Sequence, residues 1–286
     1  MNQAYTEIQN TIITLLEQGT IPWEQPWFGS KGAISFNTGR PYSWLNQMLI
    51  QESGEFLTWN QIQLNGGHLR RGSKGKRVYF YRTFEKQERN DKGEIIIKTV
   101  PYLRSYTVFN ANDCDGIVKR WQPKKQNTNL TPIQQVEDAV NKYLIREHIE
   151  LRHSNENEAY YSKKFDYINV PPLSNFKESA EDYYGTLLHE VVHSSSAEKR
   201  LNRDTSGSFG SVAYAREELV AEIGAAFLLR KFNIDSRRSI EQNAAYIKSW
   251  ITALQNDSKL IPVAAGKAER AVQFILGEDT ANTTEE

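Results

Sequence analysis

The residues best suited to chemistry are His189-Glu190-Val191-Val192-His193. On a helix, side chains four positions apart project from one face, so both imidazoles can reach a single ion. Two histidines so spaced form a ligand pair for Zn²⁺, and the glutamate between them is a candidate general base. Zn²⁺ lowers the pKa of its water, and Glu190 takes up a proton as the nucleophile attacks a peptide carbonyl. A catalytic site of this kind uses three protein ligands, whereas a closed structural site uses four. No histidine follows at short spacing, since 194–199 read Ser-Ser-Ser-Ala-Glu-Lys. The third ligand is therefore expected from a carboxylate on a later helix. The run Glu217-Glu218-Leu219-Val220-Ala221-Glu222 places acids in an apolar stretch, where they face a core unless something compensates them. Glu218 is the first choice as ligand. Glu222, one turn on, is suited to orienting a ligand histidine, the two roles are exchangeable, and Glu217 is a third contender. The oxyanion also needs a donor, for which Tyr161, Tyr183, Tyr184 and Tyr214 are the candidates.

A second chemical region lies earlier. His68-Leu69-Arg70-Arg71-Gly72-Ser73-Lys74-Gly75-Lys76-Arg77 is dense in cations, and Val78-Tyr79-Phe80-Tyr81-Arg82 follows. Cations can track phosphates while rings stack on unpaired bases, which is what single-stranded nucleic acid requires. The candidate contacts are Arg70, Arg71, Lys74, Lys76, Arg77, Tyr79, Tyr81 and Arg82. Trp23, Trp27, Tyr42, Trp44 and Trp59 could extend the platform. Against this stands the general tendency of strand aromatics to form core. Gly72–Gly75 lacks the pattern of a phosphate-binding P-loop.

The elements that must position these groups follow from periodicity and punctuation. In the first half a helix is expected over 3–18, with Ile8, Ile12, Leu15 and Leu16 at helical spacing and Gly19 as its stop. Ser43 can cap a helix over Trp44–Gln51, and Thr58 a short one ending at Gly66-Gly67. Arg77–Arg82, Ile95–Ile97 and Tyr102–Phe109 read as strands, with a turn at Asn90–Gly93. In the second half helices are expected near 132–148, 179–197, 211–232, 240–256 and 259–276. Short strands are expected at Glu158–Tyr161 and Phe165–Val170.

The 286 residues carry 35 Lys+Arg and 35 Asp+Glu. Zero net charge argues against a polycation, yet it is an average: 1–130 carry a net +6 and 131–286 a net −6. Five of the six tryptophans lie in the basic part. The polar stretch Lys119–Pro132 between the two reads as a linker. A lone cysteine, Cys114, excludes an intramolecular disulfide framework. The start of the chain does not read as a signal peptide, and no stretch approaches the roughly 18 apolar residues of a membrane span. The expected setting is the cytoplasm, without membrane partners.

In their order along the chain these residues resemble the ArdC-type antirestriction proteins of conjugative plasmids and other mobile elements. In the first half the resemblance rests on Pro22-Trp23 and Pro26-Trp27, Asn37-Thr38-Gly39-Arg40-Pro41-Tyr42, Leu57-Thr58-Trp59, Gly66-Gly67-His68, Arg71–Gly75 and Val108-Phe109-Asn110. In the second it rests on Tyr183–Glu190, Arg200-Leu201-Asn202-Arg203-Asp204, Glu217–Glu222, Tyr246-Ile247 and Trp250-Ile251. The chain departs from the family at Ser43-Trp44-Leu45-Asn46 and at Ser194-Ser195-Ser196.

The resemblance implies an α+β protein. An N-terminal mixed α/β domain that binds single-stranded DNA (1–125) would precede a mostly helical zincin-like metallopeptidase domain with a small β-sheet (126–286), akin to the SprT/Spartan type. It further implies His189, His193 and Glu218 as ligands, Glu190 as catalytic base, and protection of incoming DNA from host restriction during conjugation. Transfer to a recipient cell with the DNA would fit that role. Zn²⁺ is the expected metal, with Mn²⁺ or another first-row ion as the alternative. A host protein is the expected peptidase substrate. Two other readings stay open: a DNA-binding protein whose metal is structural, and a protease acting on protein substrates.

Overall fold

The computed structural model describes residues 3–24, 32–89, 95–121, 131–154, 158–176, 180–204, 212–234 and 240–278. The first helix, α1 (Gln3–Glu17), buries Ile8, Ile12 and Leu16 along one stripe, and Gly19 ends it in the left-handed region at φ 75°. β1 (Ala33–Ser35) leads to α2 (Trp44–Ile50), where Ser43 is the N-cap residue by position but makes no side-chain capping bond. β2 (Gly54–Thr58) precedes α3 (Trp59–Leu64), which opens with a reciprocal capping box between Thr58 and Gln61.

β3 (His68–Leu69) is followed by a long hairpin of β4 (Lys76–Arg89) and β5 (Ile95–Asn110). The expected strands at 95–97 and 102–109 are thus one strand, running straight through Pro101. β2 pairs with β5 only at Val108–Asn110, so at Pro101 the strand has one neighbour, Thr83 on β4. The missing N–H there breaks no second ladder. The sheet order is β1-β2-β5-β4, and β6 (Cys114–Asp115) pairs separately with β3. The outer edge of β4 is closed by α2: Asn46 donates to Tyr79 O at 2.9 Å and accepts from Tyr79 N at 2.8 Å. A side-chain amide thus replaces a neighbouring strand, which accounts for a fully buried asparagine at this place.

The second half opens with α4 (Pro132–Glu147), which carries its own capping box at Thr131 and Gln134. A small sheet of β7 (Glu150–Arg152), β8 (Tyr160–Ser162) and β9 (Tyr167–Asn169) has the order β7-β9-β8. Then come α5 (Ala180–Ser194), α6 (Val212–Lys231), α7 (Ile240–Asn256) and α8 (Leu260–Leu276).

The largest apolar core crosses between the halves. Ile8, Ile12, Leu16, Trp23, Trp44, Met48 and Tyr79 pack in one cluster with α4, α5, α6 and α8. Two contacts carry this junction: the Trp23 ring meets Trp250 edge-on at 5.1 Å, and Trp44 stacks on Phe227 at 4.0 Å. A face of the four-stranded sheet has a smaller core of Ala33, Tyr42, Ile50, Phe56, Val78 and Val108.

The expected linker is corrected at its start. Buried Glu55 accepts the backbone N–H groups of Arg120 (3.1 Å) and Trp121 (2.7 Å), which pins this segment to the first half. Residues 122–130 lie outside the described residues. No described helix is long and apolar enough to cross a membrane.

Candidate metal centre and nucleic-acid interface

Helix α5 carries His189 and His193 on one face, and α6 carries Glu217, Glu218 and Glu222. Their close crossing is set at Gly224, where a Cβ would stand 2.9 Å from Val192 Cγ2. His189 Nε2 and His193 Nε2 face each other at 3.0 Å, and Glu218 oxygens lie 3.5 and 3.4 Å from them. All three donor atoms fall within 4.8 Å of one another. Donors about 2.1 Å from a tetrahedral ion sit about 3.4 Å apart, so this triangle has the spacing of a first-row metal site. Three protein donors leave a fourth position for water or substrate.

The nitrogens turned away from that triangle face the other two acids. His189 Nδ1 lies 3.5 Å from Glu222 Oε1, and His193 Nδ1 lies 3.4 Å from Glu217 Oε1. His193 thus has a hydrogen-bonded carboxylate behind it, whereas His189 Nδ1 makes no hydrogen bond among the described residues and has Glu222 only within ion-pair distance. Glu217 is held in turn by Arg203, whose Nε and Nη2 donate to its two oxygens at 3.0 and 2.6 Å. Arg203 also donates to Ser195 Oγ at 2.8 Å and to Val192 O at 2.9 Å.

At His193, Glu217 and Glu218 burial opposes charge, but the ion pairs outweigh it. Glu217 and Glu218 push His193 up to about 10, with Glu190 adding to the effect. Glu218 lies well below the carboxylate range because both histidines donate to it, and Glu217 is lowered by His193 and Arg203.

Ser194, Ser195 and Ser196 are buried and seat two arginines. Ser194 O accepts from Arg200 Nε at 2.8 Å, while Ser195 Oγ receives Arg203. Arg200 and Arg203 are functional residues that motif spacing alone does not assign. The signal was available as an arginine pair close behind the histidine helix and shortly before three acids that need compensation.

Among the tyrosines, Tyr161 donates to Asp166 at 2.7 Å and Tyr184 to Glu137 at 2.7 Å. Tyr183 is buried against Phe176 and Tyr184. Tyr214 is half-buried on α6, one turn before Glu218 and on the same face.

The proposed nucleic-acid contacts divide. Trp23 (0% exposed), Trp44 (4%), Tyr42 and Tyr79 are core residues, and this corrects their assignment as base-stacking groups. Tyr79 also donates its hydroxyl to Glu7 at 2.7 Å. Tertiary packing against α7, α6 and α1 claims Trp23, Trp44 and Tyr79, and the sheet core around Phe56 and Phe80 claims Tyr42. Arg70, Arg71, Lys74 and Arg77 are exposed, as is Trp59 at 51%. Lys76 pairs with Glu52 at 2.6 Å. Trp27 and the side chains of Tyr81 and Arg82 lie outside the described residues.

Comparison with known proteins covers both regions. Residues 2–109 match the family described as the N-terminal domain of anti-restriction factor ArdC. Residues 138–267 match the family of zincin-like metallopeptidases. Two crystal structures of the antirestriction protein ArdC from plasmid R388 superimpose on the chain. For the metal-free structure the TM-score is 0.73 at 32% identity, over 96% of this chain and 97% of that one. For the Mn(II)-bound structure it is 0.74 at 33% identity, over 98% of each. A DNA primase TraC of Escherichia coli is 32% identical over 95% of this chain, which spans 27% of that protein's length. The uncharacterized protein y4eC of Sinorhizobium fredii (strain NBRC 101917 / NGR234) is 29% identical, with 96% of this chain and 92% of that protein covered.

Proposed function

The chain belongs to the ArdC antirestriction family, and from that premise we propose that it is a metal-dependent peptidase joined to a single-stranded-DNA-binding half. In this reading it protects DNA entering a cell from restriction, and the two parts divide near residue 125. The observation that carries the peptidase is the His189–His193–Glu218 triangle with Glu190 beside it on the same helix. A closed structural site has no use for that glutamate.

The donor set fits a divalent first-row ion, and two imidazoles with one carboxylate favour Zn²⁺, with Mn²⁺ as the alternative. When bound, such an ion supplies a Lewis acid that polarises the scissile carbonyl and acidifies a water. The protein's own groups do the rest. Glu190 lies one turn from His193 at i, i+3, is buried, and takes the proton as general base. Glu217 keeps the His193 ring turned toward the common point, Arg203 keeps Glu217 ionised and in place, and Glu222 stands 3.5 Å from His189 Nδ1, close enough to hydrogen-bond it once the ring is fixed by a metal. Tyr214, on the face of Glu218, is the donor we assign to the developing oxyanion.

For the first half, support comes from the ArdC N-terminal match and from the exposed cations at 70–77. The test is metal analysis of the purified protein with a cleavage assay on protein substrates, with and without single-stranded DNA. Wild type should carry about one metal and cleave, with DNA stimulating. Glu190→Gln should keep the metal and lose cleavage. If the variant still protects DNA in a conjugation assay, proteolysis is not the protective step.

A further inference from the structure

Trp121 stands apart from the other tryptophans described. Trp23, Trp44 and Trp250 are buried in the shared core and Trp59 is 51% exposed at the start of α3, whereas Trp121 is 42% exposed and yet fixed. Its Nε1–H donates to Phe36 O at 3.1 Å, and its backbone N–H donates to Glu55. Its indole lies against Gly39 so closely that a Cβ there would meet three ring atoms at 2.4–2.5 Å. Gly39 also holds φ 69°, so two separate demands keep a side chain away from that position. The result is a ring seated on backbone, its orientation set by a hydrogen bond, with much of its surface open to solvent. Exposed aromatics elsewhere are normally free to turn; this one has its side-chain entropy already spent.

Its surroundings are cationic. Lys119 and Arg120 precede it and Arg40 follows Gly39, all exposed. The Arg120 guanidinium lies 4.3 Å above the Phe36 ring and donates to Asn65 at 2.6 Å. From there the surface continues into the predicted basic run. Ile117 packs on Gly67, and β6 pairs with β3 immediately before Arg70 and Arg71. Of the nearby acids, Glu55 is buried and turned to backbone donors, and Asp115 on β6 lies 3.6 Å from Arg70.

We propose that Trp121 is a stacking platform for an unpaired base of single-stranded DNA, with Lys119, Arg120, Arg70 and Arg71 tracking the adjacent phosphates. The proposal rests on the reading of the first half as a single-stranded-DNA binder. It replaces the buried rings at 23, 42, 44 and 79 with one that a base can reach. A flat π-face serves any base, and a preset orientation lowers the entropy lost on binding.

The test is fluorescence anisotropy of a labelled oligothymidylate with the full-length protein at several salt concentrations. Trp121→Ala and Trp121→Leu should each weaken binding by roughly tenfold or more, and Trp121→Phe should keep most of it. The salt slope should be unchanged in all three, since no cation is removed. Leucine covers Gly39 without offering a π-face, so it decides the matter if alanine lowers the melting temperature. Wild-type affinity in Trp121→Leu overturns the platform and leaves the DNA-binding reading standing. Failure of the wild type to bind overturns both.

Discussion

In the α5–α6 pair each functional side chain is held by another. Glu218 lies against both imidazoles, Glu222 and Glu217 against their outer nitrogens, and Arg203 against Glu217. In the basic half the cations at 70–77 are held by single, more exposed contacts where they are held. Arg70 meets exposed Asp115 at 3.6 Å, and exposed Arg77 meets half-buried Glu7 at 3.8 Å. The contrast matches what we propose that each region binds. A metal site needs donors fixed to within a fraction of an ångström, and buried tiers of charge provide that. A phosphate backbone accepts positive charge over a broad range of positions, so exposed, loosely held cations suffice, provided that a rigid ring sets the register.

The largest effect should come from the helical region. Glu190→Gln should lower peptidase turnover by about 10²–10⁴-fold, the usual worth of a general base, with metal content intact. Loss of the metal as well would make Glu190 part of the binding tier. Next, Trp23→Ala should destabilise the protein by about 3–5 kcal/mol, as expected for a large buried ring. Trp23→Phe should cost much less, since Trp23 Nε1 is buried without a hydrogen-bond partner among the described residues. Denaturant unfolding measures both. A Trp23→Ala protein of normal stability but poor DNA affinity would move Trp23 back to the binding surface.

These two variants also mark how much could be read before folding. The histidine pair was legible because a helix converts spacing into geometry: His189 and His193 must share a face, whatever surrounds them. The capping pair Thr58 and Gln61 was half-legible for the same local reason. The fate of the aromatics was not, because no local rule says which ring meets a partner distant in sequence. Trp44 stacks on Phe227, and Trp23 meets Trp250. Trp121 was hidden differently: it sits in a stretch whose Lys, Gln and Pro composition reads as linker, and what ties it down, buried Glu55 and the Phe36 carbonyl, lies far back in the chain. The three acids on α6 were legible as a group, but their separate roles required the crossing at Gly224.

A smaller effect tests the tier behind the ligands. Glu217→Gln keeps the shape but weakens the hold on both His193 and Arg203, and should lower metal affinity about 10–100-fold by competition with a chelator. An unchanged affinity would show that Ser195 and Val192 O alone keep Arg203, and the ring, in place. Beside it, Asp166 is drawn down to about 2: burial opposes ionisation, but donors from Arg200, Lys199 and Tyr161 outweigh it. Its folded value lies below its unfolded one, so its contribution is present above about pH 4 and is lost as pH falls toward 2. Asp166→Asn should cost about 2 kcal/mol, at the low end for an ion pair with one buried partner because Asp166 is partly exposed. It should also flatten the acid limb of the stability curve.

The smallest expected effects are on the basic surface, and they decide whether its cations act as the comparison requires. Each phosphate neutralised on a single strand releases its condensed counterion, so the log–log salt slope changes by about 0.7 per contact. Arg71→Ala and Lys74→Ala should each reduce the slope by that amount and weaken binding a few-fold at moderate salt, with melting temperature unchanged, since both side chains are exposed. Trp121→Leu should do the reverse, lowering affinity more while leaving the slope alone. A double variant of Arg71 and Trp121 should then show nearly additive losses, because charge and stacking act on different parts of the nucleotide. If Arg71→Ala leaves the slope untouched while Trp121→Leu lowers affinity, the strand runs past the platform without turning along β3 and β6. The path would then have to be traced from Arg40 and Lys119 instead.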